Sequence, residues 1–599
     1  MIFTQIKQDC YRDSVLLMQI AQKVQKIDGV KSAAVMMATE ANKGILKKMG
    51  LLSEDEEAGR PSDLIISIKC DNAETAKTAI DKAISFLENK INEYEKNNIF
   101  DKKNYSTIQE AKIDNPGSNL SIISVPGEYA FAEARYSINS NLHVFLFSDN
   151  VSIDKEITLK NEAIANNKLM MGPDCGTSII DGVPLGFANS VKRGFVGIVG
   201  ASGTGIQEVS TLIDRVGFGI SQAIGIGGRD LTNEVGGMMM IKGIDLLEND
   251  PLTKIIVIIS KPPAKEIAEK VIERLKSCKK PVVLNFLGYK PNEIYEGISS
   301  AKYLEDVIPI IMRLLDEESI SKDFDFWGDK ATLEKQLKEN VSKLNESQKY
   351  IRGLFSGGTL CKEANIIISD IVGENSTGLP KNMEINQLID GKGFEELSNH
   401  LTLDLGDDMF TIGRPHPMID LTLRQNMILA AANDSTTAAI VLDVVLGFGS
   451  HENPARELAD TIIQAKEIAN NNNRFLPVVA YVCGVEKDSQ SLSSSISVLE
   501  SAGAIVMSTN AQAAKMVSLI AIKEQTLNKY KVVTMPSVKV DYSLDGNTSI
   551  IGEELEIINV GLKGFYTDLK NQGIKVHDVD WKPSFTTNKK MIDKLTSII

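Results

Sequence analysis

The feature that most constrains the fold is a strand, a small-residue turn and a helix in immediate succession. The apolar run Val196–Val199 is typical of a buried parallel strand, and apolar residues recur at helical spacing from Ile206 onward. The turn at 200–205 leaves backbone N–H groups at the positive end of a helix dipole, where an anion can bind. Ser202 and Thr204 add hydroxyl donors. The pattern therefore predicts a phosphate-type turn.

Two departures limit what this turn implies. It lacks the lysine that follows the last glycine of a Walker loop, and it lacks the third glycine of the dinucleotide fingerprint. A turn of this kind can also serve only to join a strand to a helix, so the residues alone leave both interpretations open. Under the functional interpretation, the candidate phosphate-binding residues are Ala201, Ser202, Gly203 and Thr204.

The same pattern returns in the second half of the chain. Four landmarks, each a strand followed by a glycine-rich or polar loop, recur in the same order. They lie at 195–205, 220–230, 255–264 and 280–288 in the first half, and at 351–359, 401–408, 439–455 and 476–484 in the second. Two copies of a five-strand α/β unit are predicted, and they could face each other across a shared site. The second copy adds Gly357, Gly358 and Thr359 as candidates for phosphate binding.

Composition narrows the class of protein. The chain has 599 residues and a net charge of −14, which argues against a broad surface for nucleic acid. Its six cysteines are scattered without a CxxC pair, so reduced thiols are expected and a structural zinc site is not. No apolar run reaches the roughly 18 residues of a membrane span, and residues 1–25 do not have the pattern of a signal peptide. We expect a cytoplasmic protein that contacts neither nucleic acid nor membrane.

Further candidates follow other strands of the first half, because loops at the carboxyl ends of parallel strands gather at one edge of a sheet. Gly228 and Arg229 follow one such strand, and a guanidinium can hold phosphate or carboxylate with two hydrogen bonds. An ion pair of Arg229 with Asp230 or Glu234 is the alternative. Glu128 could be a base at this edge, although its place in the first turn of a helix, where an acidic residue is favoured, is the preferred account.

The second half supplies the candidate catalytic residues. Arg414 and His416 lie between two prolines and could bind a carboxylate and act as a general acid, unless they belong to an ordinary rigid loop. His451 follows Gly449 and Ser450 at a predicted helix start, where the dipole would favour a neutral ring that acts as donor or base. Helix capping by Ser450 alone is the alternative. His143, His400 and His577 are interpreted as structural, and Cys175 is a weak candidate for a nucleophile.

The order of these motifs resembles succinyl-CoA synthetase. Residues 120–290 are similar to the second half of its α subunit's CoA-binding domain and the ligase domain after it, and residues 350–520 to the corresponding domain of its β subunit. The segments at 172–177, 185–189, 200–205 and 260–263 are specific to the FdrA family of acyl-CoA-synthetase-like proteins, which the chain resembles more closely over about residues 10–520.

The resemblance implies an α/β fold with tandem Rossmann-like and flavodoxin-like parallel-sheet domains. The predicted units are a small α/β sandwich at 1–95, a CoA-binding-like Rossmann domain at 96–190, ligase-type units at 191–315 and 345–530, and a C-terminal tail at 531–599. The tail resembles the opening of a partner subunit and is a candidate docking segment.

The resemblance also implies an activity. FdrA-like proteins act with two partner subunits in allantoin breakdown, in an assembly similar to an oxamate carbamoyltransferase that interconverts oxalurate and phosphate with oxamate and carbamoyl phosphate. The synthetase carries a phosphorylated histidine in a Gly-His-Ala-Gly segment, but the stretch after Gly288 reads Tyr289-Lys290-Pro291-Asn292. No ATP-grasp domain is recognisable. The resemblance leaves the two helix N-termini that hold phosphate in the synthetase, here near Ser202-Gly203-Thr204 and near Gly449-Ser450-His451, so Gly449 and Ser450 are further candidates for phosphate binding. An oligomeric, phosphate-dependent carbamoyltransferase is therefore expected. The alternatives are an acyl-CoA ligase subunit that binds CoA and takes its nucleotide site from a partner, and a non-catalytic scaffold or sensor.

Overall fold

A computed structural model describes residues 1–52, 59–97, 105–289, 295–315, 329–379, 383, 385–389, 392–411, 415–527 and 550–583. The N-terminal residues form a three-stranded antiparallel sheet with the order β1-β3-β2. Helices pack on both of its faces, so most residues of the strands at 30–37 and 64–70 are buried, whereas the edge strand at 2–7 is exposed or half-buried. Its elements are β1 (Ile2–Lys7), α1 (Ser14–Gln25), β2 (Val30–Met37), α2 (Glu40–Lys48), β3 (Leu64–Cys70) and α3 (Ala73–Asn97).

A parallel sheet starts at residue 120. It is built from short, fully buried strands, as is typical of a sheet covered by helices on both faces. The first elements are α4 (Ile108–Asp114), β4 (Leu120–Ile123), α5 (Gly127–Asn139), β5 (His143–Leu146), α6 (Ile153–Ala165) and β6 (Met170–Met171). A hairpin of β7 (Thr177–Ile180) and β8 (Val183–Gly186) then crosses to the next sheet, where β7 pairs antiparallel with β10.

That next sheet has seven strands in the order β13-β12-β11-β9-β10-β7-β8. The predicted strand at Val196–Val199 is the centre of β9, and Ser202 is the N-cap of α7. Its remaining elements are β9 (Arg193–Gly200), α7 (Gly203–Arg215), β10 (Ile220–Gly225), α8 (Met238–Asn249), β11 (Ile255–Ser260), α9 (Lys265–Leu275), β12 (Val282–Phe286), β13 (Ile298–Ser300) and α10 (Val307–Leu315).

The second half forms a six-stranded parallel sheet in the order β15-β16-β14-β17-β18-β19. Its elements are α11 (Lys330–Ser342), β14 (Tyr350–Phe355), α12 (Gly358–Val372), β15 (Asn375–Thr377), α13 (Ile385–Ile389), α14 (Lys392–Glu395), β16 (His400–Asp404), α15 (Asp408–Thr411), α16 (Thr422–Asn433), β17 (Thr437–Val445), α17 (Pro454–Asn471), β18 (Val478–Cys483), α18 (Leu492–Ser501), β19 (Ile505–Met507) and α19 (Asn510–Ala521). The run β19-β18-β17-β14-β16 repeats the order β13-β12-β11-β9-β10, so α7 and α12 occupy equivalent places.

The C-terminal residues return to the first parallel sheet. They form β20 (Glu556–Val560), α20 (Lys563–Asn571) and β21 (Lys575–Val579), and β20 pairs with β4 to give the order β21-β20-β4-β5-β6. The described part of the predicted docking tail, 550–583, therefore packs within its own chain. The remainder of the tail lies outside the described residues, and the predicted unit boundaries stay predictions.

One apolar core joins the two repeats. It contains buried residues of α7, α12 and α19 together with strands of both large sheets. Both repeats therefore share a continuous interior, which holds the tips of α7 and α12 in a fixed relation. The fold is α/β with tandem parallel sheets, as the sequence predicted. Within the described residues no helix is long and apolar enough to cross a membrane.

Candidate functional site

The predicted phosphate-type turn at 200–205 contacts its counterpart in the repeat, at 356–359. Ser202 caps α7, because its Oγ accepts a hydrogen bond of 3.0 Å from the Gly205 N–H. The Ser202 hydroxyl is also hydrogen-bonded to the hydroxyl of Thr359, in the first turn of α12. Thr204 Oγ1 in turn accepts from the Thr359 N–H at 3.3 Å. Two positive helix ends thus meet at one point, which we call the helix-tip junction (200–205 and 356–359).

A buried carboxylate holds the second turn in place. Asp443, in β17, accepts hydrogen bonds from the N–H and hydroxyl of Ser356 at 2.8 and 3.0 Å, and from the Gly357 N–H at 2.7 Å. Arg424 donates to the same carboxylate at 2.6 Å. Burial lowers the pKa of the Arg424 guanidinium, and the charge of Asp443 opposes that shift. Asp443 therefore occupies N–H groups that a phosphate could have used at the second turn.

The remaining N–H groups define where an anion can bind. Ala201, a candidate phosphate-binding residue, donates its N–H to the carbonyl of Ile259 at 3.0 Å and does not offer it to a ligand. The N–H groups of Gly203, Thr204 and Gly358 have no acceptor among the described residues. An anion at the junction would therefore be bound by the first turns of both helices.

Lys261 brings a positive charge to the junction. A methyl group at Gly358 would lie 2.9 Å from Lys261 Nζ and 2.3 Å from Asp404 Oδ2, so both charged groups approach the tip of α12 closely. Lys261 is exposed and forms neither a hydrogen bond nor an ion pair with the described residues. Burial raises the pKa of Asp404 to about 6, and the ammonium of Lys261 opposes that rise.

A cleft of about 250 Å³ opens beside Lys261. Gly228 lines it together with Thr232, Asn233 and Pro262. Nearby, burial and the charges of Asp149 and Asp408 raise the pKa of Asp174 to about 6. Acidic and basic groups therefore lie close together at this edge of the sheets. The pKa values of two of them, Asp174 and Asp404, are both about 6, so these carboxyl groups change charge just below neutral pH.

Arg229 does not form the ion pairs that the sequence suggested. Its guanidinium contacts Glu156 Oε2 at 2.9 Å and donates to the Val151 carbonyl at 2.8 Å. Asp230 instead pairs with the buried Lys160 at 2.8 Å. Arg229 is about one-third exposed, and its charge still acts on Asp174. A role in ligand binding remains a prediction for this residue.

His416 lies at the junction and is a neutral donor. Its Nδ1 accepts a hydrogen bond of 3.2 Å from the Met418 N–H, which places the ring proton on Nε2. A methyl group at Gly406 would lie 2.6 Å from that Nε2 and 3.3 Å from Asp404 Oδ1. Burial lowers the pKa of His416 to about 4, so the ring is uncharged at neutral pH. The predicted general acid is therefore better suited to donate a hydrogen bond than to release a proton.

His451 is located in a neighbouring loop, and Phe187 contacts both this loop and the ring of His416. Phe187 packs against the ring of His416, with the ring centres 5.8 Å apart, and also against Gly449. His451 accepts from the Asn453 N–H at 3.1 Å, and its Nε2 lies 3.3 Å from Glu457.

The helix start predicted at Ser450 is wrong. α17 begins at Pro454 and is capped by Asn453, whose side chain satisfies the Arg456 N–H. Proline fits this first helical position because its missing N–H is not needed there. Ser450 is not the cap, and its Oγ is buried without a hydrogen-bond partner among the described residues.

The structure does not bring every candidate to the junction. Glu128 is exposed in the first turn of α5, the position that the alternative interpretation gave it. Arg414 lies outside the described residues. Burial raises the pKa of the Cys175 thiol to about 12, so this candidate nucleophile is protonated at neutral pH. His143 and His400 accept backbone N–H bonds, consistent with the structural roles predicted for them.

Sequence reasoning missed the charged groups around the junction. Lys261 was visible only as part of the motif at 260–263, and Asp404 as the last residue of a strand. Asp443 and Arg424 carry no local signal, because they meet from separate elements. The position of Lys261 after a strand end was the one feature that could have identified a site residue.

Comparison with known proteins agrees with this architecture. The protein YahF of Escherichia coli (strain K12) is 43% identical over 511 residues, which cover 84% of the chain and 96% of YahF. The chain belongs to the FdrA-like, acyl-CoA-synthetase-like family. Family models for CoA-ligase and for a CoA binding domain match this FdrA-like chain at residues 354–520 and 191–288.

More distant relatives share part of the FdrA-like chain. The succinate–CoA ligase α subunit of Aquifex aeolicus is 28% identical over 190 residues, which cover 31% of the chain and 61% of that subunit. An ATP citrate lyase from Methanothrix soehngenii, solved with citrate and coenzyme A, aligns at 14% identity with a TM-score of 0.30, over 79% of the chain and 86% of its own.

A third family model, described as AllF, heavy metal-associated domain, matches residues 1–102. The residues present do not fit a metal. Cys10, between β1 and α1, is buried, and its neighbour Asp9 accepts from Ser62 at 3.1 Å and from Arg60 at 3.4 Å. No group of three or more His, Cys, Asp or Glu side chains suited to a metal occurs in the described ranges. Residues 1–52 and 59–97 of this FdrA-like chain therefore present no such group of ligands.

We expect the purified chain to bind no stoichiometric metal through this module. Elemental analysis after dialysis against Zn²⁺ or Cu²⁺ should find less than one ion per chain, and EDTA should leave the melting temperature unchanged. A metal-dependent rise in melting temperature that Cys10→Ser removes would contradict this expectation.

Proposed function

We propose that this chain is the acyl-transfer subunit of an acyl-CoA-synthetase-like enzyme, with an acyl phosphate at the helix-tip junction. The observation that carries the proposal is the meeting of two helix N-termini, with open N–H groups on Gly203 and Gly358, next to the unpaired ammonium of Lys261. Helix ends and ammonium groups both favour a phosphoryl group. The CoA-ligase and CoA-binding matches support CoA as the acceptor of the acyl group.

Each residue at the junction has a chemical task in this proposal. The open N–H groups and Lys261 bind the phosphoryl oxygens and stabilise the departing phosphate. His416 donates its Nε2–H to the carbonyl oxygen, where negative charge develops in the transition state. Asp404, with a pKa of about 6, accepts the proton of the attacking group. A partner subunit provides the nucleotide site for the ligase cycle.

A second candidate is carbamoyl transfer between oxalurate and phosphate. It is favoured by the stretch after Gly288, which has tyrosine and lysine where the synthetase has its phosphorylated histidine. This reaction needs phosphate in line with a carbonyl but neither a nucleotide nor a phosphohistidine. The same junction residues would act, with phosphate as the acceptor. Assembly with two partner subunits and an oligomeric state belong to both proposals.

One pair of assays distinguishes the two reactions. The chain, assembled with its partner subunits, is incubated with oxamate and carbamoyl phosphate, and separately with CoA, ATP and a panel of short carboxylic acids. Oxalurate formation supports carbamoyl transfer, and a CoA thioester supports the ligase. If neither product forms, both enzymatic proposals fail and the scaffold interpretation is favoured.

A variant of Gly358 ties the activity to the junction. We expect Gly358→Ala to reduce turnover at least about 100-fold, because its methyl group displaces the carboxylate of Asp404. The matched control is Gly44→Ala in α2, where an added methyl group meets no atom within 4 Å and turnover should be unchanged. Wild-type turnover in Gly358→Ala would place the chemistry elsewhere.

A further inference from the structure

The internal repeat places a glutamate at the same position in both tip helices. α7 begins at Gly203 and α12 at Gly358, and Glu208 and Glu363 each follow five residues later. At 1.5 Å per residue, each carboxyl-bearing residue lies about 7.5 Å along the axis from its helix tip. The two glutamates therefore lie behind the junction, on the elements whose N-termini form it.

Both side chains are fully buried where α7, α12 and α19 meet. Asn510, the first residue of α19, links them: its side chain donates to Glu363 Oε2 at 2.8 Å, and its N–H lies 3.5 Å from Glu208 Oε1. The Leu304 N–H donates to Glu363 Oε1 at 2.7 Å. Glu208 Oε2 has no hydrogen-bond partner among the described residues.

No described cation pairs with either glutamate. A third buried carboxylate, Glu305, takes the ammonium of Lys515 at 2.6 Å. Arg215 donates instead to backbone carbonyls, among them that of Val482. Two further titratable groups face Glu208 and are neutral because burial raises their pKa values, the Tyr481 hydroxyl and the Cys483 thiol. The charge of Arg215 offsets part of the effect of burial on the pKa of Glu208. Neither glutamate forms, with a described residue, the ion pair that buried carboxylates normally have.

For this reason the pKa values of both glutamates are raised to neutral pH or above. Burial raises the pKa of Glu208 to about 7. Burial, and then the charge of Glu208, raises the pKa of Glu363 to about 8. When they ionise, negative charge develops within the two helices that would bind the anion, and it opposes the positive potential of the tips.

We propose that Glu208 and Glu363 act as a proton-dependent gate on anion binding at the helix-tip junction. In the protonated state the tips attract a phosphoryl-type dianion, and in the ionised state they hold it weakly. The gate rests on the proposed function, since it regulates the same site. The glutamates are positioning residues, because they touch no ligand and act through the helices that carry them.

Sulfate is the suitable probe, because it remains a dianion across the pH range. Its affinity for the full chain is measured by titration calorimetry at pH 6 and pH 9. We expect the wild-type affinity to fall about tenfold between the two pH values. The double variant Glu208→Gln, Glu363→Gln should show a clearly smaller fall, which is the part that Asp404 contributes at the tip of α12. The exposed Glu500→Gln should behave as wild type. If the double variant does not fold, Glu208→Gln is measured instead, and its sulfate affinity should fall less between the two pH values than that of the wild type.

The outcomes separate the gate from the site. Equal sulfate affinity of the wild type at both pH values rejects the gate and leaves the anion site standing, as does an unchanged pH dependence in the double variant. Absence of sulfate binding at pH 6 rejects the anion site and the gate with it.

The melting temperature gives a second readout. When folding raises the pKa of a carboxyl group, the folded protein loses stability as the pH rises from the pKa of the unfolded state through the pKa of the folded state. Glu208→Gln should therefore melt higher than wild type at pH 9 and much less so at pH 5. The reverse order would contradict the buried, uncompensated state of Glu208.

Discussion

Replacing Arg424 by methionine is expected to lower the free energy of unfolding by about 3 to 5 kcal/mol, because it leaves the buried carboxylate of Asp443 without its counter-charge. Arg424 and Asp443 are both almost completely inaccessible to solvent. The guanidinium also donates to the Leu354 carbonyl at 3.0 Å, so the substitution leaves an unpaired acceptor in β14. Urea unfolding followed by circular dichroism measures the loss.

The same variant should weaken the second turn. Asp443 accepts hydrogen bonds from the Ser356 and Gly357 N–H groups, and the loss of Arg424 removes the side chain that fixes this carboxylate in position. We expect faster amide hydrogen exchange at 356–358 than in wild type. Arg456→Met is the matched control, because Arg456 and its partner Asp460 are both more than half exposed and the pair contributes about 0.5 kcal/mol or less. Equal losses in the two variants would show that Asp443 does not depend on Arg424 as its counter-charge.

Replacing Lys261 by methionine is expected to reduce anion affinity and turnover about 100-fold, the loss typical when one donor to a developing negative charge is removed. The side chain is unpaired among the described residues and lies beside the tip of α12, so its loss should not disturb folding. Sulfate titration and turnover of the assembled enzyme provide the two measurements.

A pH profile of Lys261→Met tests the same contact independently. The ammonium of Lys261 holds down the pKa of Asp404, which burial raises to about 6. Its removal should therefore shift the acidic limb of the rate profile to higher pH. Lys265→Met is the control, since Lys265 is exposed at the start of α9, four residues further along the chain. A Lys261→Met variant with normal affinity and an unshifted profile would remove Lys261 from the site.

The strands and the repeat were predictable because their signals are local. Apolar runs such as Val196–Val199 and 439–445 predict buried strands, because parallel strands that are covered on both faces contain few polar residues. The turn at 200–205 predicted a helix start by its small residues alone, and Ser202 proved to be the cap. Four motifs in a repeated order were sufficient to predict that two similar units exist.

The helix start near His451 was predicted wrongly for a physical reason. Ser450 and Asn453 are both residue types that cap helices well. Asn453 is the cap in the structure, and Pro454, which suits the first helical position, directly follows it. Residues before Asn453 are bonded to distant parts of the chain instead of a helix: the Phe448 N–H donates to the Ala188 carbonyl and the His451 N–H to the Met418 carbonyl, each at 2.8 Å. Local propensity could not include these contacts.

What the sequence determined by itself was the α/β class, the duplicated unit and the two glycine turns, because each depends on neighbouring residues. Tertiary structure alone decided that Ser202 touches Thr359, that Asp443 occupies N–H groups of the second turn, and that Lys261 and Asp404 meet at Gly358. These contacts join residues far apart in the chain, and their energies come from burial and charge at short range. Only the packed core that unites α7, α12 and α19 brings such groups within reach of one another.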